Sequence, residues 1–293
     1  MMPSADPAGA PYHALAAVLS GHGRFRMLVE TVLVASFWFV LVIATSVAVA
    51  VLAVVSGVDV IDLQPVDPAW YIASVALGLA TAIPAAQLGA RWIQRRPIGS
   101  LSSVAGRLRW RWLLVCAGWA ACALGLIVAA GYLLDPGLDM SQFVGWPTFG
   151  PTLAVIALAI PLQAAGEEYL LRGWLLQAVA GRARTPWPAI LIGAALFTLL
   201  HGTTDPVVAA ELAVFGVAAG WATARTGGLE AAIALHVVNN VVGLGLDSAD
   251  GSVVWADAAH GDPASAVISA ALILGYAWWI IRVARRRGIA TTA

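Results

Sequence analysis

Three ionisable side chains stand together inside a long apolar stretch near the middle of the chain. They are Glu167, Glu168 and Arg172, in the run Gly-Glu-Glu-Tyr-Leu-Leu-Arg. On a helix, Glu168 and Arg172 are four residues apart with the acid first, which is the favourable order for an ion pair. Glu167 points about 100° away around the helix. The spacing therefore predicts a structural Glu168–Arg172 pair and leaves the Glu167 carboxylate available as a base.

Two more apolar stretches each carry a polar face at helical spacing. One holds Phe197 and His201, and the other holds His236 and Asn240, each pair four residues apart. Counted inward from the nearest loop arginines at about 1.5 Å per residue, Glu167 and the other polar groups lie about 16–25 Å deep, in one broad layer. Ionisable groups at membrane depth are costly and usually mark function. The layer predicts one shared site, with buried packing residues as the alternative.

The elements that must position these groups are apolar helices. Of the 293 residues, 60% are hydrophobic and 11% are charged, and the mean hydropathy is +0.85. Soluble domains usually carry about 25% charged residues, so this composition excludes a water-soluble globule. Lipid offers no partners for unpaired backbone groups, so apolar runs of about 18 or more residues must be helical. We predict an all-α, polytopic membrane helix bundle with about eight transmembrane helices, near 29–56, 69–90, 111–134, 150–180, 186–204, 206–225, 228–246 and 263–283.

The connections between these helices alternate in charge, which predicts their orientation. All sixteen basic residues are arginines and, apart from Arg172, they flank the first and last helices or lie in every second connection. The intervening connections carry aspartate and no arginine. By the positive-inside rule, the N- and C-termini are cytoplasmic. With the alanine- and arginine-rich composition, this pattern predicts a multi-pass protein of a bacterial plasma membrane.

Four parts of the chain follow from this organisation. Residues 1–23 are predicted to form a mobile cytoplasmic N-terminal tail, and 24–145 contain transmembrane helices one to three. Residues 146–250 form the core that carries the polar layer, in helices four to seven, and 251–293 contain helix eight and a basic cytoplasmic tail. The connection 95–109 is predicted to be a solvated basic loop.

The polar layer resembles the motifs of the CAAX protease and bacteriocin-processing family of intramembrane endopeptidases, which includes the type II CAAX prenyl endopeptidases. That family shows E-E-x-x-x-R, F-x-x-x-H and H-x-x-x-N on successive helices of an eight-helix core. The same three patterns occur here in order, within about residues 150–246. The resemblance implies a peptidase of membrane-anchored substrates, with catalytic residues Glu167, His201, His236 and Asn240 and structural support from Glu168, Arg172 and Phe197.

Peptide hydrolysis needs an activated water and donors for the developing oxyanion. Residues 150–246 contain no serine or cysteine, which argues against covalent serine or cysteine catalysis there. In the light of the resemblance, we predict Glu167 as the general base, helped by His201, and His236 and Asn240 as groups that bind and polarise the scissile carbonyl. The site is expected to open to the cytoplasm or laterally to lipid, so that an anchored peptide can enter.

A zinc-dependent version of the same protease is an alternative. Glu167, His201 and His236 would form a zinc ligand set with an open fourth position for water. The sequence has no H-E-x-x-H pair, and Asn240 is a poor ligand. We therefore favour an enzyme without metal or other cofactor.

Two functions of other classes also stay open. A proton-coupled transporter would use the buried charges as a relay, and a non-catalytic bacteriocin-immunity protein would bind without cleaving. The expected partners are the lipid bilayer and a membrane-anchored peptide or protein, lipidated or not, and we expect no nucleic acid. The sequence predicts no oligomeric state. Glu211, one turn into the sixth run, stays open between packing or solvation and lining an entry path.

Overall fold

The computed structural model describes residues 7–57, 68–134, 142–181, 183–251 and 261–293. These residues form α-helices joined by short 3₁₀ and π segments, which confirms the all-α bundle. The helices, in chain order α1 to α11, are Leu15–Ser20, Arg24–Val55, Pro68–Ala80, Ala82–Leu88, Trp110–Leu134, Trp146–Glu168, Leu176–Ala180, Trp187–Leu200, Pro206–Thr226, Glu230–Asp247 and Pro263–Arg286.

Six stretches of the described residues are long and apolar enough to cross a membrane. They are Phe25–Val55, Ala69–Ile93, Trp110–Leu133, Trp146–Ala180, Pro206–Thr226 and Pro263–Arg286. The shorter apolar helix α8 and the more polar α10 correspond to the other two predicted crossings. A multi-pass bundle is therefore established, while the count of eight and the orientation of the termini stay predictions.

Two of the predicted helices are interrupted. The second run is divided at Thr81 into α3 and α4, where the Thr81 hydroxyl donates to the Gly78 carbonyl at 2.5 Å. Pro84, which has no backbone N–H, lies within the first turn of α4. The fourth run passes from α6 through a π segment, Tyr169–Leu175, into α7. A π segment re-aims the side chains around it and is frequent at functional sites, and this one begins directly after the paired glutamates.

The prediction of a mobile N-terminal tail is wrong for the described part of the tail, from residue 7 onward, because this part folds against the bundle. A 3₁₀ turn, Tyr12–Ala14, and α1 pack on the bundle, with Tyr12 and Leu15 buried. The backbone of Gly9 donates to the Ala293 carbonyl at 2.6 Å, and that of Ala293 donates to Ala10 at 3.0 Å. Apolar burial and this pairing with the C-terminal segment hold the tail in place, and neither was evident from its composition.

The loop 95–109 is also less solvated than its charge suggests. Arg96 is only 3% exposed, and it donates hydrogen bonds to Gln94 at 2.6 Å, Ser100 at 2.5 Å and Gln177 at 3.0 Å. Burial lowers the pKa of Arg96 to about 10, so the side chain stays charged at neutral pH. A buried cation is tolerated here because neutral acceptors surround it. The prediction of a solvated loop is therefore wrong for its first half.

The helices that carry the polar layer approach each other closely. A side-chain carbon added at Gly216 of α9 would lie 2.7 Å from the backbone of Ala194 in α8, so only glycine allows this approach. Small residues are the usual means of close helix packing in membranes. The contact brings the second half of α8, with Phe197, beside α9 and the π segment that carries Arg172.

Candidate active site

The predicted ion pair forms at the junction of α6 and the π segment. The Arg172 guanidinium donates to Glu168 Oε1 at 2.9 Å, and the side chains of Glu168 and Arg172 are 0% and 2% exposed. Arg172 also donates to the Gly216 carbonyl at 3.3 Å. Because the pair lies wholly inside the bundle, each charge depends on the other for compensation. This arrangement confirms the local geometry expected from the i,i+4 spacing.

His236 of α10 binds the same carboxylate. Its Nδ1 lies 2.8 Å from Glu168 Oε1, and the residue is 2% exposed. Since an ionised carboxylate only accepts hydrogen bonds, Nδ1 must carry the proton. This fixes the ring so that Nε2 faces Glu167, 3.8 Å from Oε2. Glu168 therefore holds both Arg172 and His236, and the ion pair helps to orient a predicted site residue.

Glu167 is the accessible glutamate of the pair, with 14% of its side chain exposed. Gln163, one turn earlier on α6, donates to Glu167 Oε1 at 2.5 Å. The Asn240 amide in turn donates to Gln163 Oε1 at 3.2 Å, and Asn239 donates to Asn240 Oδ1 at 3.3 Å. A chain of amides thus joins α10 to the free carboxylate. Sequence reasoning missed Gln163, although an uncharged polar residue four positions before Glu167 lies on the same helical face.

His201 lies beside Phe197, and it lines the same cavity as His236 and Asn240. It caps the C-terminal end of α8, and its Nδ1 bonds the Phe197 carbonyl at 2.7 Å. Among the described residues, Glu167 forms its ion pair with His236, and no hydrogen bond or ion pair joins Glu167 to His201. The role of His201 as a helper of Glu167 therefore stays a prediction. The Nδ1 contact leaves His201 Nε2 available to the space beside it.

Phe197 packs at the centre of these groups. Its ring lies 4.4 Å from that of His201 and 5.6 Å from that of His236, measured between centroids. It stacks on Phe215 at 5.4 Å, and the Arg172 guanidinium lies 4.9 Å above its face. A cation over an aromatic face is stabilised by the ring quadrupole. Phe197 therefore contacts Arg172 and both histidines, and its ring restricts the orientation of the two imidazoles.

A cavity of about 200 Å³ adjoins this cluster. This volume has room for several water molecules. Glu167 is not itself a lining residue; it contacts the lining residue His236 directly, and Gln163 connects it to the lining residue Asn240. Glu211, which the sequence left open between packing or solvation and lining an entry path, is one of the lining residues, and it forms a side-chain hydrogen bond with Ser269 of α11. The lining residues are Phe197, His201, Val208, Glu211, Leu212, Phe215, His236, Asn239, Asn240, Ser269 and Ile273.

The donor set does not fit the zinc alternative. A zinc site needs three or four ligand atoms that converge on one point about 2 Å away from each. No group of three His, Cys, Asp or Glu side chains in the described part of the chain could hold a metal ion. The Nδ1 bonds of His236 and His201 leave each Nε2 as the candidate ligand atom, but no hydrogen bond or ion pair brings His201 to Glu167. We therefore derive no step through a metal.

The helices that build the site also match a known family model. Residues 148–242 match the type II CAAX prenyl endopeptidase Rce1-like model. This segment is therefore similar to that family. It runs from the start of α6 through Asn240 of α10 and contains all the predicted site residues. The match confirms the family resemblance and supports a peptidase at the general level.

A curated relative is similar to this chain over a wider region. The uncharacterized protein YyaK of Bacillus subtilis (strain 168) is 27% identical over 168 residues, which cover 55% of this chain and 56% of YyaK. The chain thus spans about half the length of the curated relative that it matches. No solved structure matches the chain.

Proposed function

We propose that the protein is an intramembrane endopeptidase that hydrolyses a peptide bond in a membrane-anchored substrate, with a water activated by Glu167. This proposal rests on one observation, the different environments of the two glutamates. Glu168 is wholly buried and bound to Arg172 and His236, whereas Glu167 is partly exposed and faces His236 Nε2 at 3.8 Å. A water beside both groups lies within the reach of about 3 Å that proton transfer requires.

The reaction follows from these positions. The Glu167 carboxylate takes a proton from the water, and the oxygen forms a bond to the carbonyl carbon of the scissile peptide. The carbonyl oxygen becomes an oxyanion, which needs hydrogen-bond donors aimed at it. When the tetrahedral intermediate collapses, the C–N bond breaks and the proton held by Glu167 passes to the leaving nitrogen. The products are a carboxylate and an amine, and no covalent enzyme intermediate forms.

Three cavity residues are suited to hold the oxyanion. Asn240 offers an amide N–H, although in this structure it donates to Gln163 and must turn to reach a substrate. His201 has Nδ1 on a carbonyl, which leaves Nε2 for the carbonyl oxygen or the leaving group. His236 Nδ1 already serves Glu168, so His236 donates from Nε2 only when both ring nitrogens are protonated.

We also propose that this chemistry needs no metal or other cofactor, because the candidate ligands do not converge. The carboxylate and amide groups described above provide a base and donors without one. A bacterial plasma membrane remains the proposed location, on the basis of the charge pattern and composition.

The decisive experiment compares Glu167→Gln with the unmodified protein. Gln keeps the size of Glu and can still bond Gln163, but it cannot take a proton, so cleavage should be lost while the protein remains folded in the membrane. Membrane peptides from cells that produce each form would reveal the substrate as a fragment present only with the unmodified protein. Equal fragments from both forms would refute the role of Glu167. Binding or transport without any fragment would favour the immunity or transporter alternative.

A further inference from the structure

The cavity lies near one end of the bundle. His201 directly follows α8, and the turn after it leads into α9. Glu211 is five residues from the start of α9, and Ser269 is six residues from the start of α11. At 1.5 Å per residue, these lining residues are about 8–9 Å from that end of the bundle. His236 and Phe215 form the inner wall.

The opposite end of the bundle is closed beneath the site. At the junction of α9 and α10, Thr226, Leu229 and Glu230 are each 0% exposed. Arg109 bridges this junction through a 2.7 Å ion pair with Glu230 and a hydrogen bond to the Thr226 carbonyl at 3.1 Å. The buried Ser103 forms a backbone bridge to the glycine beside Leu229. The described residues therefore offer a peptide no opening at this end.

The open and closed ends of the bundle differ in their arginine content, and this difference predicts which end faces the cytoplasm. The cytoplasmic side of a membrane protein is marked by its basic residues, and acidic residues contribute little to the rule. The connections beside the cavity, 201–205 and 248–262, contain no arginine. Arginines instead flank the closed end, at Arg91, Arg95, Arg96, Arg107, Arg109, Arg111, Arg184, Arg225, Arg285, Arg286 and Arg287.

We infer that the cavity opens to the side of the membrane opposite the cytoplasm. This inference has a consequence that rests on the proposed function. A peptidase with this opening cleaves a substrate segment that lies in the outer half of the bilayer or just outside it. The substrate class is then a membrane-anchored peptide exposed on the outer face, and not a lipidated tail presented from the cytoplasm. This differs from the opening to the cytoplasm or to lipid expected from the sequence.

Cysteine labelling tests the orientation and the opening without any need for activity. Cys122 is exposed, so Cys122→Ala provides the background, while Cys116 is buried and can remain. Thr204→Cys places a thiol in the exposed turn beside the cavity, and Thr185→Cys places a matched thiol in the exposed connection at the closed end. Ser269→Cys places one in the cavity wall.

In intact cells, a membrane-impermeant maleimide should label Thr204→Cys, and a small impermeant thiosulfonate should label Ser269→Cys. Thr185→Cys should react only after the membrane is permeabilised. The reverse pattern for the two threonine variants would overturn the orientation. Reaction of Ser269→Cys only from the cytoplasmic side would overturn the opening even if the orientation held. The labelling pattern should be the same in a Glu167→Gln background, so a failed peptidase assay and a failed inference are separate results.

Discussion

Loss of Arg172 should destabilise the protein far more than loss of an exposed arginine at the same helical spacing. Arg172→Ala leaves the Glu168 carboxylate 0% exposed, with one of its oxygens already without a partner among the described residues. Removing one member of a buried pair costs about 3–5 kcal/mol because the remaining charge is uncompensated. His236 still donates to Glu168, which places the expected cost towards the lower part of that range.

The matched control is Arg26→Ala. Arg26 pairs with Glu30 at i,i+4 with a distance of 3.0 Å, but its side chain is 62% exposed. Glu30 is only 3% exposed, but without Arg26 it keeps the hydrogen bond from Gln94 at 3.0 Å and the contact with His22 at 2.8 Å. An exposed arginine in such a pair contributes about 0–1 kcal/mol. Thermal unfolding of the purified proteins in one detergent should therefore show a small shift for Arg26→Ala. At about 2–4 °C per kcal/mol, a cost of about 3 kcal/mol lowers the melting temperature of Arg172→Ala by roughly 6–12 °C.

A double variant separates uncompensated charge from lost packing. Glu168→Gln with Arg172→Met removes both charges, and the glutamine carbonyl can still accept from His236. Replacing both members of a buried pair is often nearly neutral, so this variant should recover most of the lost stability. Equal melting temperatures for Arg172→Ala and Arg26→Ala would refute the reasoning. So would a double variant no more stable than Arg172→Ala, since the loss would then lie in packing against Phe197.

Three further predictions concern the site and the N-terminal segment. Gln163→Leu removes a partner from both Glu167 and Asn240, so it should lower kcat and the melting temperature together, measured side by side with Glu167→Gln. A membrane-permeable chelator should leave cleavage unchanged; loss of activity that zinc restores would instead establish the metal alternative. Burial lowers the pKa of His13 below its usual 6.5, so the unfolded chain binds more protons as the pH falls through that value, and packing of residues 12–20 should weaken in acid. Limited proteolysis should show earlier cleavage before Arg24 below about pH 6, an effect that His13→Gln abolishes.

Sequence spacing was a good guide where one helix determines the contact. Glu168 and Arg172 meet because residues four apart on a helix share a face, whatever surrounds them. The bond from His236 to Glu168 depends on how α10 packs against α6, and helical periodicity contains no information about that packing. The ring of His201 likewise lies beside that of Phe197, four residues earlier, although α8 ends at Leu200, before the predicted end of this helix.

Charge was a weaker guide than periodicity outside the membrane. Arg96 was assigned to solvent because loop arginines usually are, yet its acceptors include Gln177, which lies far along the chain. The same holds for Tyr12, which the fold buries under the loop that contains Leu101. Such contacts become evident only when distant segments are placed together, and the sequence shows each partner only as an isolated polar or aromatic residue.

The polar layer obeys one physical constraint, which explains why its members share partners. In hydrocarbon an unsatisfied polar group costs several kcal/mol, so each group must find a partner inside the bundle. Glu168 serves both Arg172 and His236, and Gln163 serves both Glu167 and Asn240. Both of these shared contacts join α6 to α10. The contacts that satisfy the buried groups therefore also fix the distance between the Glu167 carboxylate and the His236 imidazole. A substitution that relaxes one shared contact should therefore disturb the geometry of the site even where the residue never touches substrate.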